Sequence, residues 1–466
     1  MNSVWQTLTL STLPLQQWLS TSYLHAIVGP LQTWRQGSKM MQWADWIGAA
    51  LAMLVFGLAP FVNNLLTGVL LAICGAYWLL LTISEEAPSP TSARAPLATP
   101  IHLLVGLYWG IAVIATGMSP VKKFALAGLE KLTLYLVFFA LLAHVLRSPR
   151  IRSCLLSVLL LTSLIVSVYG LQQWFSGASA LATWVDPESP LSKTTRVYSY
   201  LGNPNLLAGY LLPIFVFSII AFFAWERWMC KALAVLMIGV NGACLLLTFS
   251  RGGWIGLVFS LFVLLLLLTH WWSIYLPPFW QIWALPTILG TAATLVLAAL
   301  IVVEPLRDRV SSIFAGRGDS SNNFRINVWL SVIEMIKDHP ILGIGPGNAA
   351  FNKIYPIYQR PRFSALSAYS IFLEVLVETG IIGFTCFLWL LLVTFGQAWR
   401  SLQHLRTVKS REGFWLIGAI ASLIGMMGHG AVDTVLYRPE VNTIWWLMFA
   451  IIASYYLPRQ PVYNQP

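Results

Sequence analysis

Apolar runs of about twenty residues recur from one end of the chain to the other and leave it few ways to fold. A helix of that length crosses a bilayer, and inside hydrocarbon every backbone N–H and C=O must find a partner in a helix or a closed barrel. Candidate spans fall near 43–60, 64–83, 101–118, 124–146, 151–173, 204–224, 231–249, 252–270, 283–303, 369–398, 414–433 and 441–457. Composition agrees. Only 10% of the 466 residues are charged, against about 25% in soluble domains, and the mean hydropathy is +0.72. The expected fold class is all-α: a polytopic membrane helix bundle of about twelve transmembrane helices, with one large external loop containing an amphipathic helix.

The spacing divides the chain into an N-terminal cytoplasmic or interfacial segment (1–42), transmembrane helices 1–9 (43–303), a large loop (304–368), transmembrane helices 10–12 (369–457) and a tail (458–466). Tryptophans spread among polar residues in the first forty positions suggest a helix lying at headgroup depth, with a disordered tail as the alternative. The prolines of 84–99 mark a solvated linker, and 174–203 a second external loop. The 204–224 span carries Gly209 and Pro213 and is expected to be kinked or broken. Orientation follows from Lys and Arg in the short connections. With the N-terminus in the cytoplasm, thirteen fall on the cytoplasmic side and six on the other, so the large loop is expected to be periplasmic.

The net charge of +11 belongs to helix ends, which argues against nucleic acid and for anionic membrane lipids. Five cysteines (Cys74, Cys154, Cys230, Cys244, Cys386) form no CxxC pair and are expected to be small core residues, with neither disulfide nor metal site. No nucleotide motif is present and no cofactor is expected.

The large loop carries thirteen charges, eight basic and five acidic. Ile326, Trp329, Leu330, Ile333 and Ile336 recur at helical spacing, which predicts an amphipathic helix on the membrane surface, stopped by His339-Pro340. Gly343-Ile344-Gly345-Pro346-Gly347 follows; its glycines leave open an anion nest, although Pro346 removes one donor. Arg251 stands where two apolar runs meet with almost no loop, beside Gly252 and Gly253. It is either a topological anchor or an anion ligand. Asn203-Pro204-Asn205 favours a turn and a helix start.

Three acidic residues draw notice. Glu374 and Glu378 are one turn apart, which requires a shared proton or an interposed cation, with Arg251, Arg325, Arg360 and Arg362 as candidates; a solvated turn is the alternative. His429 and Asp433 are also four apart. Asp433 could orient His429 for proton handling, or the pair could be an interhelical hydrogen bond.

Gly202–Ala208, Ser250–Trp254, Arg325…Trp329 with His339-Pro340 and the glycine run, and Glu374…Glu378-Thr379-Gly380 together resemble, in this order, the O-antigen ligase/polymerase superfamily. These membrane glycosyltransferases carry glycan from an undecaprenyl-diphosphate carrier to an acceptor. The resemblance implies that Arg251 and Arg325 hold the diphosphate; Gly343, Gly345, Gly347, Asn203 and Asn205 are further candidates for binding the anion. The family's histidine base falls on Tyr369, and a tyrosine with a pKa near 10 is a poor base at neutral pH. His429, Asp433 or Glu378 would then be the catalytic candidates. Over nearly the whole chain, Ala182–Asp186, Asp319–Trp329 and Gly428–Glu440 look like the cyanobacterial IctB family, named for inorganic carbon accumulation. That likeness implies a bicarbonate transporter; the plasma membrane is the expected location rather than the thylakoid. The expected partner is thus bicarbonate or, alternatively, a lipid-linked diphosphate glycan.

Overall fold

The computed structural model of the chain describes residues 37–84, 98–177, 196–302 and 316–457, together with 5, 7–10, 13, 34–35, 307 and 310–311. Most of the expected N-terminal interfacial helix, the linker, most of the second external loop, the start of the large loop and the tail lie outside these residues.

The described residues form helices and no strand. In chain order they are α1 (Ala44–Leu58), α2 (Asn64–Ser84), α3 (Pro100–Met118), α4 (Lys122–Val145), α5 (Pro149–Ser176), α6 (Pro204–Ala224) and α7 (Trp228–Leu247). They continue with α8 (Arg251–Trp272), α9 (Pro278–Val302), α10 (Ser320–Asp338), α11 (Asn348–Tyr358), α12 (Ile371–Thr407), α13 (Glu412–Gly430) and α14 (Pro439–Ser454). Ten of these, α1–α8, α12 and α13, are long and apolar enough to cross a membrane, so the chain is an integral multi-pass membrane protein. The two further spans expected from the sequence form α9 and α14. The latter has 16 residues, short of the roughly twenty a full crossing needs.

α13 is central: 83% of its apolar window is buried, against 28% for α2 and for α7. It packs along α8 and α6, while α14 lies on α4 and α12 on α3. Small residues make the central contact possible; a Cβ on Gly256 of α8 would meet the Gly425 carbonyl oxygen of α13 at 2.5 Å. α6 runs through Pro213 as one helix rather than breaking there. Asn203 starts it, accepting from the N–H groups of Asn205 (2.8 Å) and Leu206 (3.4 Å).

α12 is the helix that breaks. Gly380 takes φ 64°, ψ −168°, a conformation essentially reserved for glycine. The groups released there are taken up by backbone from the large loop. Ile381 N–H donates to Pro340 O (2.9 Å) and Ile382 N–H to Ile341 O (3.4 Å), while Ile344 and Gly345 donate to Val377 O and Glu378 O (both 2.9 Å).

α10 begins at Asp319, whose carboxylate accepts from Asn322 N–H at 2.9 Å, and ends at His339 before Pro340, as the sequence predicts. The row it buries against protein is a different one from the apolar stripe. Asn327, Val328, Ser331, Val332 and Met335 are buried, whereas Ile333 is 40% exposed and the rest of the predicted stripe is half-buried. The inward row fits because its polar members bond back along the helix. Asn327 Nδ2 donates to Asn323 O (2.8 Å) and Ser331 Oγ to Asn327 O (3.2 Å), so small polar groups lie under α11 at little cost. Of the cysteines, Cys74, Cys244 and Cys386 are buried as expected, Cys230 is half-buried and Cys154 is exposed.

Candidate functional site

Several connections close over one end of the bundle, and they bring three arginines from distant parts of the chain into one neighbourhood. Arg251 is the first residue of α8. The connection from α7 is only Thr248–Ser250, and Ser250 caps the new helix by accepting from Gly253 N–H at 3.2 Å. This places Arg251 at the helix rim, 7% exposed, with Nη2 donating to Asp319 Oδ1 at 2.8 Å. Asp319 is also the cap of α10, so one carboxylate ties the bundle rim to the lid.

Arg325 lies in the second turn of α10. Its Nη1 donates to Ser321 Oγ (2.9 Å) and its Nη2 to Asp433 Oδ2 (3.3 Å). Its Nε is buried and has no hydrogen-bond partner among the described residues. Asp433, in the turn between α13 and α14, also accepts from Asn205 Nδ2 (2.8 Å) and from the Thr434 N–H (2.9 Å).

Arg196 completes the group. Its Nε donates to the Thr248 carbonyl (2.9 Å) and its Nη2 to Asn205 Oδ1 (3.0 Å). Asn205 therefore bridges Arg196 to Asp433. Burial lowers the Arg196 pKa to about 10; Asp433 opposes this, and the neighbouring charges of Arg251 and Arg325 add to it. The group still carries its proton at neutral pH. Three guanidinium groups thus share two carboxylates and Asn205, held in fixed geometry.

The other expected residues divide. Asn205 enters the cluster, while Asn203 only caps α6. The glycine run does not offer the expected nest: Gly343 N–H donates to His339 O (3.2 Å), and Ile344 and Gly345 donate to the carbonyls at the α12 break. Gly347 instead provides close approach, since a Cβ there would meet Gly128 Cα at 2.6 Å. Neither Glu374 nor Glu378 takes part in a described ion pair. Arg251 and Arg325 are engaged by Asp319 and Asp433, Arg360 donates to Asn327 Oδ1 at 3.3 Å, and Arg362 is exposed. One Glu374 oxygen is buried without a partner.

Of the two alternatives for His429 and Asp433, Asp433 takes the structural one: Asn205, Arg325 and the Thr434 N–H occupy its carboxylate, and it makes no hydrogen bond to His429. His429 is 0% exposed, and among the described residues both ring nitrogens lack a hydrogen-bond partner. Its ring lies against the first turn of α8, where a Cβ on Gly252 would come within 3.0 Å of Nε2. Tyr369 adopts a left-handed φ of 50°, stacks edge-on against Phe324 of α10, and accepts from Trp329 Nε1 through its carbonyl (3.3 Å). Burial, with Asp433 and Tyr437 nearby, pushes its phenol up to about 12. Arg196 is the residue that sequence reasoning missed; it was visible there only as one charge in a long loop.

The family model for O-Antigen ligase matches residues 232–388. That stretch takes in Arg251, Arg325, the glycine run, Glu374 and Glu378, and leaves out Arg196, Asn205, His429 and Asp433. No curated protein matches the chain. The likeness is thus confined to residues 232–388 of a multi-pass membrane protein.

Proposed function

We propose that the arginine cluster binds the diphosphate of a polyprenyl-linked glycan and that the protein transfers or polymerises that glycan. The convergence of Arg196, Arg251 and Arg325 at one end of the bundle carries this reading, and the family match over two of them supports it. Guanidinium forks suit diphosphate oxygens bidentately, and an ammonium does not replace them. Asp319 and Asp433 hold Arg251 and Arg325 in place before a ligand arrives, which lowers the ordering cost of binding.

In the transfer, an acceptor hydroxyl oxygen attacks the anomeric carbon, the bond from that carbon to the diphosphate oxygen breaks, and the diphosphate leaves as an anion stabilised by the arginines. The hydroxyl proton passes to a base. Tyr369 holds its own proton at neutral pH and cannot serve. His429, with two unpartnered nitrogens beside the Arg251 turn, is the residue this reading assigns.

A second reading rests on the same Tyr369. Without a base at that position, the cluster would attract a small anion such as bicarbonate and move it without transfer chemistry. One set of measurements separates the two. Purified protein should retain a labelled undecaprenyl-diphosphate glycan, and Arg251→Lys and Arg325→Lys should each weaken retention by at least about ten-fold with Tm unchanged. No retention by the unmodified protein, with bicarbonate uptake into proteoliposomes above that of empty vesicles, would overturn the glycan reading in favour of the second.

A further inference from the structure

The opposite end of the bundle carries a second basic feature, independent of the arginine cluster. α8 has 22 residues, so at about 1.5 Å per residue its far end lies roughly 33 Å from Arg251. The hydrocarbon of a bilayer is about 30 Å thick. If Arg251 marks one interface, Trp272 lies at the headgroups of the other.

A cleft of about 400 Å³ opens there, between the end of α8, the turn Ser273–Tyr275 and the connection from α12 to α13. Trp271, Trp272 and Tyr275 make its aromatic wall; Arg406, Lys409 and Arg411 make its basic one. Arg406 is fixed by a hydrogen bond from Nη2 to Ser273 Oγ (2.7 Å), and its Nε is buried with no partner among the described residues.

Lys409 follows the last turn of α12 at φ 53°, a place where glycine is the usual residue. Ser410 N–H bonds back to Leu405 O (2.9 Å) and Lys409 N–H to Arg406 O (3.1 Å), which holds the turn. A lysine resists that conformation. Here it sets an ammonium 5.3 Å from the centre of the Tyr275 ring, at the cleft. Arg411 pairs at 3.2 Å with Glu226, both exposed, so water weakens that contact. Glu412, next in sequence, is turned away to Arg152.

We infer that this cleft binds the phosphate of an anionic phospholipid from the surrounding leaflet, with Arg406 and Lys409 on the phosphate oxygens and the tryptophans at headgroup depth. Aromatic side chains concentrate at that level of a bilayer, and basic pockets between transmembrane helices suit anionic headgroups. An aromatic wall at headgroup depth favours a lipid phosphate over a soluble one.

The test uses the full chain in detergent, with phosphatidylglycerol, phosphatidylcholine or inorganic phosphate added. Phosphatidylglycerol should raise Tm and remain bound in native mass spectrometry; the other two should do neither. Lys409→Gly removes the ammonium and supplies the residue the turn prefers, so it should fold at least as well as the unmodified protein. Its affinity for phosphatidylglycerol should nonetheless fall about five-fold, as should that of Arg406→Gln. Equal binding of phosphatidylcholine, or unchanged phosphatidylglycerol binding in both variants, would overturn the inference. A comparable Tm rise with millimolar inorganic phosphate would overturn its lipid part.

Discussion

A guanidinium with one N–H left over in a closed interior is an unusual expense, since an unsatisfied buried donor costs about 1–3 kcal/mol. Arg325 accepts that cost at Nε while Ser321 and Asp433 hold its other nitrogens. A bound anion would supply the missing acceptor. Tyr369 stands beside this group under different rules. Its phenol, pushed up to about 12, stays neutral throughout the physiological range, because a raised acid pKa keeps the proton on until the pH approaches it. Tyr369→Phe should therefore leave the pH profile of ligand retention unchanged between about pH 6 and 9. A profile that flattens or shifts in the variant would show that the phenol titrates where its burial says it does not. Arg251 was legible as a position of interest, an arginine beside two glycines between apolar runs, but the sequence did not choose between a topological anchor and an anion ligand. The Arg325–Asp433 pair was not legible: 108 positions separate its members, and nothing local announces the contact. Arg196 was hidden for the same reason.

At the scale of elements, the lid depends on a join between two interrupted pieces of backbone. The strip 340–345 carries α10 on one side and lies along the break in α12 on the other. Gly380 permits the break, and its missing side chain leaves room for Ile341 O. A Cβ there would strain φ/ψ by about 1–3 kcal/mol and collide with that strip as well. Gly380→Ala should lower the Tm of the purified protein and weaken ligand retention, because displacing the strip moves Arg325 with α10. Retained Tm and binding would show that the join does not position the lid. The sequence announced the end of α10 at His339-Pro340 and the glycine run, but not what the run does. Its N–H groups read as open to an anion, since the carbonyls that take them up, Val377 O and Glu378 O, become available only where α12 is interrupted. Which row of α10 packs against protein was not legible either. In a membrane protein an apolar stripe can face outward and a small polar row inward, and periodicity alone does not choose between them.

Across the whole molecule, polar anchors sit at both ends of the bundle. At one end are the three arginines. At the other, buried Arg152 pairs with Glu412, donates to Leu146 O at 2.6 Å and lies under the Tyr455 ring, joining α5, α13 and α14. The helices between were legible because hydrocarbon tolerates little else. Which end faces the cytoplasm is a matter of charge. The Arg152 end carries Arg147, Arg150, Arg227, Lys231, Arg400, Arg406, Lys409 and Arg411, while the short connections at the other end carry Lys122, Lys123, Arg196, Arg251 and Arg438. Positive residues in short connections stay in the cytoplasm, so the arginine cluster and its lid should face outward and the lipid cleft should lie in the cytoplasmic leaflet. Asn352, exposed on α11, and Ser410, in the connection from α12 to α13, make the two reporters. In a background lacking the five native cysteines, Asn352→Cys should react with a membrane-impermeant maleimide on intact cells. Ser410→Cys should react only after permeabilisation. The reverse pattern would turn the protein over in the membrane and put the arginine cluster out of reach of any acceptor presented from outside. Labelling of both sites on intact cells would place the two ends of the bundle on one side, which the length of α8 does not allow.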